Sequence, residues 1–367
     1  MTQFSPVSDL FALCRAGYEA TLASEITAQA EKLGIIGCCE SLPDSAWLRF
    51  TPKNPLDLAR LIKELNYVDI IFCRQWFIGH ILQTRLSPPD RLSPIRLGLE
   101  QLGVTLHREL FWEHPDNSTG GTLAGLLRSL GNALRAKPPS CLENSATEYR
   151  GHILFLDETH AAVGFSLLDN MSPWENGIPR LHLPRSTPSR SAYKLEEAFL
   201  VLLGEELREL YLKPEMTAVD LGAAPGGWSW LMAKNHIRVT AVDHGRLDAV
   251  VLDTGLVQHE SADAFTFRPR QTIDWLLCDV VDKPARTLQL IEKWLSQKWC
   301  RHALFNLKLP MKHPYFFVEE GLQRLANKLR ADNISFRCRA KQLYHDRQEI
   351  TVLVLTGSME RTPQQIK

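Results

Sequence analysis

The chain has 367 residues, 44% hydrophobic and 23% charged, an ordinary composition for a soluble protein of two or three domains. Its 42 lysines and arginines are offset by 42 aspartates and glutamates, which excludes capture of a nucleic acid by a global positive field and leaves only local basic patches. The apolar run Phe199–Leu203 is far too short to span a bilayer, and Asp9, Glu19 and Glu25 argue against a secretory leader, so no membrane contact and a cytoplasmic location are expected.

Residues 10–14 read as a strand, 18–33 as a helix with Leu22, Ile26 and Ala30 on one face, and 46–50 as a strand. Residues 56–65 follow as a helix and 70–78 as a strand, which makes a small α+β module. Pro88, Pro89 and Pro94 mark a boundary. Beyond it come a helix over 95–102, a strand over 105–112, a helix over 122–137 and a hairpin of 152–156 with 161–166. None of these elements carries a catalytic constellation, so the front half is expected to bind or position. Pro173, Pro179, Pro184 and Pro188 then impose an extended path. Arg180, Arg185, Arg190 and Lys194 follow one another there without an acid, with Trp174 and His182 interspersed. That mixture suits a single-stranded nucleic acid; a solvated linker is the plainer reading.

The back half alternates helix and strand. A helix is expected over 192–210, with Lys194 in its first turn, opposed to the helix dipole. Strands are expected over 217–221, 238–243, 273–279, 302–308, 335–340 and 349–355, with helices over 286–295 and 317–329 among them. The organising stretch is Ala218-Val219-Asp220-Leu221-Gly222-Ala223-Ala224-Pro225-Gly226-Gly227-Trp228, an apolar strand, an acid and a small-residue turn leading into a helix. It lacks the G-x-G-x-x-G spacing of a pyrophosphate cradle. An acid there suits a cationic ligand such as the amino and sulfonium groups of S-adenosylmethionine (SAM). Asp220, Asp243 and Asp279 recur at strand ends, where an open parallel sheet faces its ligand. Asp243 is spaced to reach ribose hydroxyls and Asp263 to meet an adenine amino group, although any one such acid is commonly a cap or turn residue.

Lys194, Asp279, Lys308 and Glu349 form the second constellation. Lys308 ends an apolar run, so its amine emerges from a poorly solvated strand; alone, it reads equally as a snorkelling side chain. Attack by a ribose 2′-hydroxyl on a methyl group needs a base, and a free lysine, with a pKa of roughly 10.4, is a poor one at neutral pH. Burial and the like charge of Lys194 are expected to lower it, with the acids holding the geometry. The eight cysteines form no C-x-x-C pair and read as free thiols, and no metal signature is present in the sequence. A nicotinamide-dependent oxidoreductase and an RNA-binding protein with an inactive enzyme domain stay open as alternatives. The missing third glycine and Pro225 disfavour the first, and the intact polar quartet disfavours the second.

The segment Asp220–Trp228, with lysine, aspartate, lysine and glutamate in that chain order, resembles RNA 2′-O-ribose methyltransferases of the RrmJ/FtsJ-like group. Within it, the chain is most similar to the ribosomal RNA large subunit methyltransferase M (RlmM) family. The similarity runs through 72–77, 177–181, 188–191, 194–199, 305–312 and Gln342-Leu343-Tyr344-His345-Asp346-Arg347. The resemblance implies a ferredoxin-like α+β subdomain over 1–87, a THUMP-type RNA-binding subdomain over 88–170, a Pro-rich basic linker over 171–188 and a Rossmann-like, SAM-dependent α/β methyltransferase domain over 189–360. It implies SAM as methyl donor and a cytidine ribose in the peptidyl-transferase region of 23S rRNA as acceptor; a monomer without metal is expected. It places SAM contacts on Ser191, Ala224, Pro225, Gly226, Gly227, Asp243, Asp263 and Asp279. The proton acceptor falls on Lys308, with Lys194, Asp279 and Glu349 beside it.

Overall fold

The computed structural model describes residues 7–83, 85–143 and 147–357, and the chain divides into two compact units between Pro179 and Arg180. The expected domain ends at 1–6 and 358–360 lie outside the described residues.

The first unit begins with β1 (Asp9–Leu13), α1 (Glu19–Lys32), β2 (Gly37–Glu40), β3 (Trp47–Pro52), α2 (Asp57–Glu64) and β4 (Gln75–Ile81). Their order in the sheet is β2-β3-β1-β4 with every neighbour antiparallel, the ferredoxin-like arrangement. On β3, Leu48 and Phe50 point inward and alternate with half-exposed residues, the period-2 pattern of a strand with one buried face. The expected strand over 70–78 starts only at Gln75. Both oxygens of the buried Glu25 accept the backbone N–H groups of Ile71 and Phe72, at 2.6 and 2.9 Å, which takes those donors away from any ladder.

The unit continues with α3 (Leu92–Gln101), β5 (Leu106–His107), β6 (Phe111–Glu113), α4 (Ser118–Ala136), β7 (Leu142–Glu143), β8 (Tyr149–Phe155) and β9 (Ala161–Leu167). The expected strand over 105–112 is two pieces: β5 pairs with β7 in a separate two-stranded ladder, while β6 pairs with β8. The hairpin β8–β9 is seated on β4, so one seven-stranded sheet, β2-β3-β1-β4-β9-β8-β6, runs across residue 87 without a break. Nor is the start of the expected linker free. Gln75 donates to the carbonyls of Ser172 and Trp174, and Glu113 Oε1 accepts Asn176 N–H at 2.9 Å, so 172–176 is fastened to the first unit.

The second unit opens with α5 (Ser191–Ala198), a π-turn over Phe199–Leu203, and α6 (Glu205–Tyr211). The single helix expected over 192–210 is interrupted because Gly204 adopts φ +77°, ψ 162°, a conformation outside any helix. Then follow β10 (Thr217–Leu221), α7 (Gly227–Lys234), β11 (Arg238–Val242), α8 (Ala249–Leu252), β12 (Val257–Glu260), β13 (Ile273–Cys278), α9 (Pro284–Ser296), β14 (Cys300–Lys308), α10 (Pro314–Ala331), β15 (Phe336–Lys341) and β16 (Glu349–Thr356). The sheet order is β12-β11-β10-β13-β14-β16-β15. Strands β12 to β14 are parallel, and β16 is antiparallel to both its neighbours. This is a Rossmann-like α/β sheet closed by a reversed final strand. Its core packs α5, the π-turn and α7 onto the sheet through Leu195, Phe199, Trp228, Met232, Trp275 and Leu304.

Candidate active site

Parallel register decides what emerges together. Leu221 pairs with Cys278 and Cys278 with Phe305, so the glycine turn, Asp279 and the end of β14 share the carboxyl edge of the sheet. In the turn, Gly226 has φ +110°, where side-chain-bearing residues are strained. A Cβ on Gly227 would lie 2.4 Å from the hydroxyls of both Ser189 and Ser191, so that glycine lets the first turn of α5 close on the loop. Trp228 Nε1 secures the same contact by donating to Ser191 O at 2.9 Å. Asp243 braces the turn from the next strand: its carboxylate accepts Ala224 N–H at 3.0 Å and Gly245 N–H at 2.7 Å. Each oxygen retains acceptor capacity for a hydroxyl.

Asp220 has a different place from the one expected. It is buried, and its carboxylate accepts the Ser229 hydroxyl at 2.7 Å, so it clamps α7 to β10 beneath the turn instead of facing a ligand. Burial pushes its pKa up to about 7, against the opposing hydrogen bond from Ser229. Asp263 is exposed after the edge strand β12 and accepts Phe265 N–H at 2.7 Å, a turn contact.

The four polar residues come together as a cluster. Lys194, one turn into α5, donates to Glu349 Oε1 at 2.5 Å and to Asp279 Oδ2 at 3.4 Å. Lys308 donates to the other oxygen of Glu349. Sheet register produces that bridge, because Lys308 and Glu349 are directly opposite across the β14–β16 ladder. Glu349 is almost sealed, with 2% of its side chain exposed, whereas Lys308 keeps 34%. Burial lowers the pKa of Lys194, but Asp279 and Glu349 outweigh it and the group ends above its ordinary value. Burial raises Glu349, and the hydrogen bonds and charges of the two lysines bring it below the usual carboxylate range. Asp279 is held above that range by burial and by Glu349, against the pull of Lys194.

Sequence reasoning missed the polar row behind this cluster. Asn306 Nδ2 donates to Asp279 Oδ1 at 2.8 Å, and Thr351 Oγ1 donates to Asn306 Oδ1 at 2.8 Å. Thr351 also reaches the buried Asp346. A signal existed, since Asn306 and Lys308, like Glu349 and Thr351, are two apart on a strand and so share a face. Among the described residues no group of three or more His, Cys, Asp or Glu is arranged to hold a metal, and no helix is long and apolar enough to cross a membrane.

The sequence matches two family models: an RlmM ferredoxin-like domain over residues 7–77 and an FtsJ-like methyltransferase over 187–310. The ribosomal RNA large subunit methyltransferase M of a Xanthomonas oryzae pv. oryzae strain is 42% identical over 355 residues, which span 96% of this chain and 100% of that protein. Its namesake from Xanthomonas campestris pv. campestris is 42% identical over 361 residues, with the same coverage. Likeness of this degree, over both units, shows that the chain belongs to the ribosomal RNA large subunit methyltransferase M family of SAM-dependent, FtsJ-like methyltransferases.

Proposed function

We propose that the protein methylates the 2′-hydroxyl of a cytidine in the peptidyl-transferase region of 23S rRNA, with Lys308 as the general base. The observation that carries this reading is the pair of lysines bridged by the two oxygens of Glu349 at the ligand edge of the sheet. The residues around the turn fit SAM: Gly226 and Gly227 let the turn bend sharply and pack against Ser191, and the Asp243 carboxylate that braces it keeps acceptor capacity for a ribose hydroxyl. When bound there, SAM supplies an electrophilic methyl group.

The two lysines divide the work. Lys194 is tied to two carboxylates and its pKa is raised, so it stays cationic at neutral pH and offsets charge developing on the attacking oxygen. Lys308 is on the other oxygen of Glu349 and is more exposed than Lys194, and its amine is the group that takes the 2′-proton. Asp279, oriented by Asn306, and Glu349 fix both amines, and positioning of two reactants at such a site supplies on the order of 7–11 kcal/mol of barrier reduction in the best cases.

RNA docking falls to the first unit, with its expected THUMP-type region over 88–170, and to the basic stretch after it. Helix α4 supports this: it has no acid, and Arg128 and Arg135, seven residues apart, are both exposed. The test is mass mapping of unmodified 23S rRNA after incubation with SAM and the purified protein. One new ribose methyl on a peptidyl-transferase cytidine is expected; methylation of a base, or at another site only, would overturn the assignment.

A further inference from the structure

The stretch Gln342–Arg347 belongs to the family resemblance, yet the catalytic cluster uses only the buried Asp346 at its margin. The buried Glu197 of α5 holds this loop: its carboxylate accepts the backbone N–H groups of Tyr344 and His345 at 2.7 and 2.9 Å and meets His345 Nδ1 at 2.6 Å. The result is a row of three rings. His345 is 5.2 Å from Tyr193, tilted by 31°, and 5.2 Å from Tyr344, edge-on at 84°. At the end of the row Tyr344 keeps 39% exposure.

This row is carried by the same elements as the lysine–carboxylate cluster. Tyr193 directly precedes Lys194, and Tyr344 lies five residues before Glu349. A hydrogen bond from Leu309 N to Gln348 O at 2.9 Å closes the loop base against the segment that follows Lys308. That opposing segment presents the exposed Met311, Lys312, His313 and Phe316. Across 309–316 and 342–348 the acid is Asp346, which is buried with its carboxylate on Leu343 N–H and Thr351, so Lys312 and Arg347 are the charges displayed. Rings and exposed cations on neighbouring segments suit single-stranded RNA: base faces stack on the rings, and phosphates meet the cations. A structural role alone needs a tethered loop, which Glu197 already provides, and does not need an exposed ring at its tip.

We propose that Tyr344, backed by His345 and Tyr193, is a stacking subsite for a nucleobase of the RNA strand at or next to the methylated ribose, with Arg347 and Lys312 on the flanking phosphates. The inference rests on the reading of the site as an RNA ribose methyltransferase, and the experiment separates the two. Methyl transfer to unmodified 23S rRNA is measured for the wild type and for Tyr344→Phe, Tyr344→Trp, Tyr344→Leu and Tyr344→Ala, with SAM affinity measured on each. The ring-bearing variants are expected to keep the wild-type KM for RNA within about twofold, and the Leu and Ala variants to raise it about tenfold, with SAM affinity unchanged. Equal KM across the series, or a loss of SAM affinity in parallel with RNA affinity, overturns the subsite. A wild-type protein that leaves 23S rRNA unmethylated overturns the functional reading instead.

Discussion

Each unit holds a buried carboxylate network, and the two are built from similar parts. In the first, Glu113, His152 and Ser166 are in line: His152 Nδ1 is 2.8 Å from Glu113 Oε2, and Nε2 is 2.7 Å from Ser166 Oγ. On paper this is the order of an acid–imidazole–hydroxyl relay. All three are sealed, at 0, 0 and 1% exposure, and His152 is stacked on Phe77 at 4.9 Å. In the second, Glu349 is equally sealed, but one of its two cations, Lys308, reaches solvent. Hydrogen-bond geometry therefore does not distinguish a site from a brace; access to the group that must exchange a proton does. The first network ties β6, β8 and β9 to the segment at Asn176, and the second delivers an amine to an open edge.

That contrast is broken most severely at Glu349. Glu349→Gln leaves two ammonium groups without their shared counter-charge, so methyl transfer should fall about a hundredfold and stability by roughly 3 kcal/mol or more. Single-turnover assays and thermal melts check both. Asp220 sharpens the contrast as a buried acid with a hydroxyl for a partner. Its folded pKa of about 7 exceeds the ordinary 3.8, so the folded state retains a proton that the unfolded state has released. Stability should therefore fall as pH rises from about 4 to about 7 and then level, with a slope of up to about 1.4 kcal/mol for each tenfold drop in proton concentration. Asp220→Asn should flatten that decline in denaturant titrations taken across the window. Glu113→Gln should cost about 1–3 kcal/mol in calorimetry, because it leaves polar groups of the sealed network mismatched, while SAM affinity stays that of the wild type. The smallest effect is expected from Arg180→Ala with Arg185→Ala. RNA binding should weaken and its log–log salt slope should drop by about 0.7 for each phosphate no longer neutralised, with SAM binding intact.

Much of the second unit was legible because its signals are local. The apolar run before Gly222 marked β10, and acids at strand ends marked the ligand edge. What stayed hidden depends on pairing across the chain. Nothing near Lys308 says that residue 349 will be its ladder partner; only the reversed strand β16 puts Glu349 opposite it and Thr351 opposite Asn306. Asp220 was read as facing the ligand because a strand-end acid does so in general, whereas here Ser229, nine residues later, draws it inward. In the first unit, the prolines near 88 suggested a break that the β4–β9 pairing overrides. The carboxylate of Glu25, far away in sequence, took the donors that residues 71 and 72 would have given to a strand.

Whether the Lys308 amine removes the sugar proton is tested most directly by small added amines. In a Lys308→Ala protein saturated with SAM and 23S rRNA, the single-turnover rate should drop by about 10²–10⁴-fold and then recover in proportion to the concentration and basicity of a primary amine. A Lys308→Ala protein that methylates at the wild-type rate without any amine would contradict that role.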